Sequence, residues 1–249
     1  EQNTIWMLCA PSVADLLPTI RSRTRNVVLR LPSGEEVAQL LVQREGIDRE
    51  LALRSARQAQ NHVGMARRLA TSSEARSRRT ETLREISAIT NLSKAMIAAE
   101  HLLSVAKRDA QSLAEERDGT EKLALMHAYG LAPEDKLPPN LRAEFKALEE
   151  NQKRRGTRAL RDGIDRIFTD AESFFRDVMS LQLGTSAELI NPEFEAELIA
   201  RANSGTIAST IEILDAITQS RQRLAANVRD LLVLEALCTR FIARSDLAA

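Results

Sequence analysis

Aromatic residues make up only 3% of the 249-residue chain, and glycine occurs just 9 times. With alanine, leucine, arginine and glutamate abundant, those two scarcities point to a mainly helical chain. Net charge is absent as well: Lys plus Arg and Asp plus Glu both total 35. A protein whose main work is gripping phosphate backbones carries a basic excess, so that class is disfavoured at the level of the whole chain and survives only as a local patch. Cysteine is limited to Cys9 and Cys238, at opposite ends of the sequence. No disulfide framework follows, both are expected as small apolar core residues, and a reducing cytoplasm is the expected compartment. No apolar run reaches the length of a membrane span, and "EQNTIWMLCAPS" lacks the basic n-region of a signal peptide.

The chain is instead rich in helix punctuation. "TIWMLCA" (4–10) reads as a fully buried strand, and "NVVLRL" (26–31) as a second short strand closed by Pro32. A buried strand needs neighbours on both edges, so the expectation is a C-terminal part of a longer protein, cut inside a sheet domain. Between the two lie Pro11, Ser12 and the short helical or turn segment "VADLLPTI". Beyond 31 nearly everything reads as helix. The Ser33/Glu36 spacing is that of a capping box, opening a helix that Gly46 ends; Asp48 caps a second, and "VGMARRLA" forms a third. A second box, Thr71/Glu74, opens a longer helix with a stripe at Ile86, Ile89, Leu92, Met96, Ala99, Leu103 and Ala106. The loop "LAPEDKLPPN", with Pro133, Pro138 and Pro139, separates it from a stripe running from Leu160 to Leu181, which Gly184 ends. Asn191–Pro192 reads as an N-cap with proline at the first helical position, and one last long helix buries Ile211 through Ile242. Three divisions result: a sheet remnant at 1–31, a small three-helix unit at 32–71 and a helical bundle at 72–249.

Chemistry is sparse. No glycine stands in a phosphate-loop pattern, and His62, His101 and His127 have no metal-ligand spacing. Neither a nucleophile elbow nor a persuasive carboxylate pair is present, so the chain does not read as a self-sufficient enzyme. "KRRGTRALR" (153–161) is the one dense basic patch, ordinarily a solvated helix face and less often a surface for DNA or a partner. Arg221 and Glu235 interrupt the apolar stripe of the last helix and require partners inside the bundle or across a subunit boundary.

What stands out is "LLPTIRSRTR" (16–25), with Arg21, Arg23 and Arg25 set between a strand-like run and a second strand. Alone it would be a solvated turn. Followed by a small three-helix unit and a long bundle, it resembles the clamp-loader subunits of the AAA+ class, and within them the delta prime family of bacterial DNA polymerase III. Their "LLxTxRSRCR" pattern is reproduced at all but one position: Thr24 stands where the family has cysteine.

The resemblance implies a mainly α fold holding the end of an AAA+ α/β core (one or two strands), a helical lid and a collar domain. It implies that Arg23 acts in trans as an arginine finger. The ATP and magnesium would belong to a neighbouring subunit's site, and Ser22 would help fix the turn. A planar guanidinium complements the charge spread over γ-phosphate oxygens, which is the physical reason for arginine there. The implied partners are ATPase clamp-loader subunits of the gamma/tau type, the delta subunit, the sliding clamp indirectly, and primed DNA through the assembled complex. No membrane and no cofactor of its own are implied. ATPase members carry a further arginine at the start of the third lid helix. Aligned on Leu69, that position is Ala66, which fits a non-hydrolysing stator; aligned on Gly64, it is Arg67, which fits an ATPase-type subunit or AAA+ remodeller with its phosphate loop upstream. A helical scaffold or adaptor with an incidental arginine turn is the third reading.

Overall fold

The computed structural model describes residues 4–10, 13, 16–132, 138 and 141–242 and, for 113 and 115–117, the backbone alone. Helices dominate, as the composition requires. A short helix α1 (Pro18–Arg21) precedes a three-helix unit of α2 (Gly34–Glu45), α3 (Arg49–Gln58) and α4 (Val63–Thr71). The bundle follows: α5 (Ser73–Ser87), α6 (Leu92–Ala128), α7 (Arg142–Gln182), a 3-10 turn (Pro192–Phe194), α8 (Glu195–Ser204), α9 (Ile207–Ala225) and α10 (Asp230–Arg240).

Local chemistry sets most of the boundaries. The Ser33 hydroxyl accepts from Glu36 N at 3.2 Å while the Glu36 carboxylate accepts from Ser33 N at 2.7 Å, completing the predicted capping box. Asp48 accepts from Glu50 N and Leu51 N, and Gly46 closes α2 at φ 65°, where a side chain would be strained. Val37, Ala38, Leu41, Ala52, Ala56, Ala66 and Leu69 form the small core these three helices share.

The second core is larger and belongs to the bundle. All six phenylalanines are buried, and Phe168, Phe174, Phe175 and Phe241 sit at its centre with Leu102, Ile164 and Leu234. Each such ring contributes about 1.5–3 kcal/mol on leaving water. The rings of Phe175 and Phe241 lie 4.9 Å apart, joining α7 to the end of α10. Gly163 lets α6 and α7 touch: a Cβ there would meet the Ala106 carbonyl oxygen at 3.2 Å.

Several expectations are corrected. Among the described residues there is no strand; 4–10 and 26–31 are irregular and exposed. A short apolar run suits extended backbone, but a strand exists only when a neighbour takes its hydrogen bonds, and among the described residues these two segments do not pair with each other. Cys9, expected in a core, is exposed, whereas Cys238 is buried. The long helix opened near 71 is two: Ser72, not Thr71, caps α5, and the chain breaks after Ser87 before Asn91 caps α6 through Lys94 N at 2.9 Å. The last helix is also two, broken where Asn227 adopts φ 63°, and Ile211 and Val228 are exposed rather than buried. Asn191 makes no side-chain cap. Pro11, Ser12, Asp15, Pro133 and Pro139 fall outside the described residues.

Candidate functional site

The arginine run is shaped by its own backbone and hydroxyls. Pro18 has no N–H to lose at the first helical position and starts α1 after Leu17. One turn later the Ser22 hydroxyl donates to the Thr19 carbonyl at 3.2 Å, and the Thr24 hydroxyl donates to the Ile20 carbonyl at 3.1 Å. Backbone bonds from Ser22 N to Pro18 O and from Arg23 N to Ile20 O, both 3.0 Å, complete the turn. The Ser22 hydroxyl thus takes a carbonyl that the end of the helix leaves open, and Thr24 gives the Ile20 carbonyl a second donor beside Arg23 N. Thr24 performs this with a stronger donor than the thiol of the resembled pattern.

Arg23 projects from the middle of this turn, exposed and, among the described residues, without an ion pair or side-chain hydrogen bond, as do Arg21 and Arg25. Beside it lies a concave surface to which Trp6, Leu8, Leu16, Ile20 and Val27 contribute. Trp6 is 80% exposed and Val27 74%, an arrangement that leaves apolar surface next to the Arg23 guanidinium.

The path from the arginine turn into the three-helix unit is held by charge. Arg30 donates both guanidinium nitrogens to Glu36, the acid that already closes the capping box. The Arg30 bond and the Ser33 N–H lower the Glu36 carboxyl to about pKa 2. Within the unit, Ala66 is fully buried and Arg67 pairs with Glu45 at 2.7 Å. Arg68 turns away to Asp109 on α6. His62 is the N-cap of α4, its Nδ1 accepting from Met65 N at 3.2 Å; His101 lies 3.4 Å from Glu85. Among the described residues no group of His, Cys, Asp and Glu could hold a metal.

A second polar centre escaped the sequence reading. Asp109, 8% exposed, takes Arg68 from α4, Arg78 from α5 at 2.6 Å and Arg166 from α7 at 2.5 Å. Burial pushes its carboxyl up, but the Arg166 charge, the Arg68 bond and the Arg78 charge outweigh that, and it sits below the ordinary range. The next residue of α5, Arg79, is 5% exposed, lies 3.1 Å from Asp170 and donates to Asn191 Oδ1. Asn191 in turn donates its N–H and side-chain amide to Asp177 at 2.8 Å. The only sequence signals were arginine and aspartate on apolar stripes of α5 and α6. Arg57–Glu188 at 2.6 Å and Gln58–Glu193 at 3.0 Å add further ties, so the three-helix unit is fastened to the bundle by polar contacts. Arg221 finds its partners inside the bundle, Asp165 and Glu172 on α7, both at 2.9 Å.

No protein-family model, curated protein or solved structure matches the chain. The functional reading therefore stands on the arginine turn and its setting. Among the described residues no helix is long and apolar enough to cross a membrane.

Proposed function

We propose that this chain is a non-hydrolysing stator subunit of a replicative clamp loader of the delta prime type. Its three-helix unit serves as the lid and its bundle as the collar that holds the ring of subunits. Arg23 reaches the ATP site of a neighbouring gamma/tau-type subunit, where it complements γ-phosphate charge in the transition state. The observation that carries the reading is a free, exposed Arg23 on a turn closed by the Ser22 and Thr24 hydroxyls. The two lid arginines support the stator role over an ATPase role: Arg67 is engaged with Glu45 and Arg68 with Asp109. The exposed apolar segments 4–10 and 26–31 suit a surface completed by further strands.

The test is DNA- and clamp-stimulated ATP turnover of the reconstituted complex, with the full-length subunit as wild type or Arg23→Ala. A full finger is worth about 10³–10⁵ in rate at the site it serves. Loss of turnover at the neighbouring site with the complex still assembled is the expected result. Unchanged turnover would reduce the run to a charged turn and leave the chain a helical scaffold.

A further inference from the structure

The outer turns of α6 and α7 form an arm. The bundle's core takes α6 residues only as far as Ala106 and α7 residues from Leu160 onward. Beyond those points the two helices hold each other. Met126 and Phe145 are buried, Gln152 donates to the Asp118 carbonyl at 3.1 Å, and Arg155 pairs with Asp118 at 2.9 Å and with Glu121. At 1.5 Å per residue, the α7 half of the arm runs about 27 Å from residue 142 to 160.

Its charges are sorted by face. At 100° per residue, Phe145, Leu148 and Arg155 fall on the side of α7 turned to α6. Lys146, Lys153, Arg154 and Arg161 fall on the opposite side, with Glu150 the single acid among them and Glu149 at one edge; Arg158 lies at the other edge, where it and Arg154 border a concavity shared with Glu121 of α6. Lys146, Lys153, Arg154 and Arg158 are exposed, and among the described residues none makes an ion pair. Arg161 donates to the neutral Asn227 amide oxygen, so its charge too is uncompensated. In a chain with equal numbers of acidic and basic residues, such a strip is a concentration of one sign.

We propose that this outer face of the arm binds the phosphate backbone of double-stranded nucleic acid. A strip of cations about 22 Å long suits a polyanion that carries one charge per about 1.7 Å of axis. The face has no exposed aromatic side chain on which single-stranded bases would stack. It has no apolar side to enter a bilayer, because the apolar side of α7 is spent on α6. Nor does it offer the aromatic or aliphatic anchor that a protein partner would use. Contacts of this kind position a duplex without reading its sequence. The inference is independent of the role of Arg23.

The test is fluorescence anisotropy of a labelled 30-base-pair DNA duplex of arbitrary sequence with the full chain, across a salt series, set against the variant Lys153→Glu/Arg154→Glu/Arg158→Glu. Wild type is expected to bind with a log–log salt slope of about −4, and the variant to lose at least about tenfold in affinity with a slope shallower by about 3. The neutral variant Lys153→Gln/Arg154→Gln/Arg158→Gln keeps good helix formers at exposed positions and is expected to show the same shallower slope with an unchanged thermal melt. Wild-type-like binding by both variants would overturn the proposal. So would equal affinity of wild type for single strands or for polyglutamate, or no duplex binding at 50 mM salt.

Discussion

Asp109→Asn removes one buried negative charge and leaves Arg68, Arg78 and Arg166 crowded around a neutral amide. Their side chains are 22%, 18% and 22% exposed, so water recovers only part of what the carboxylate supplied. Breaking a buried pair by deleting one partner costs about 3–5 kcal/mol. The partial exposure of the arginines places this case at the low end, about 3 kcal/mol, and the mutual repulsion of three guanidiniums adds to it. For a chain of this size each kcal/mol shifts the melting temperature by about 2–4 °C, so a fall of about 6–12 °C is expected in calorimetry. Because Arg68 lies on α4 and the other two on α5 and α7, amides of the three-helix unit should exchange faster in the variant before the Phe168–Phe175 core opens. Adding Arg166→Met to Asp109→Asn removes one of the three cations and should restore part of the loss. A melt within 2 °C of wild type, or no rescue in the double variant, would refute the view that this cluster clamps the two units together.

Burial raises the Asp170 carboxyl to about pKa 6, although Arg79 and Arg166 draw it down. Its folded pKa thus lies above its unfolded value, so its contribution is full below about pH 4 and is lost as pH rises through about 6. Urea titrations should accordingly show wild type gaining up to about 2 kcal/mol between pH 7 and 4.5 relative to Asp170→Asn. Asp109, lowered in the fold, works the other way, and its contribution should disappear only as pH falls below about 4. Gly163→Val presses new atoms onto the Ala106 backbone, and about 1–3 kcal/mol should be lost by denaturant titration as α6 and α7 are forced apart. Cys238, buried and raised to about 12 by desolvation and by Glu85, should resist maleimide at pH 7.5 in the folded chain and react only on unfolding; exposed Cys9 should label at once.

The capping chemistry was legible because it is local: Ser33 with Glu36, Asp48 with the two N–H groups that follow, and Gly46 at positive φ are all decided within four residues. The breaks at 88–91 and 226–229 carry neither glycine nor proline, and the apolar stripe continues across both, so the periodicity read them as continuous helix. Segments 4–10 and 26–31 have strand-like patterns, yet a pattern fixes only which side would be apolar, while the ladder depends on a neighbour. The polar network was out of reach for a different reason. Arg79 meets Asn191 and Ser173 across 112 and 94 residues, and nothing short-range in the sequence brings them together. The shape of the arginine turn was partly readable: Pro18 and Ser22 announce it, whereas the Thr24 bond to Ile20 depends on a backbone conformation that the residue types alone do not give.

The most direct test of the central claim compares three single variants, Arg21→Ala, Arg23→Ala and Arg25→Ala, in the reconstituted complex under single-turnover conditions. All three side chains are exposed and unpaired, so each substitution should change the subunit's stability by no more than about 0.5 kcal/mol. Arg23→Ala alone is expected to abolish ATP cleavage at the adjacent subunit, with assembly and nucleotide binding retained. Equal, small effects from all three would show that the run acts only as surface charge and that no arginine of this chain enters a neighbour's site.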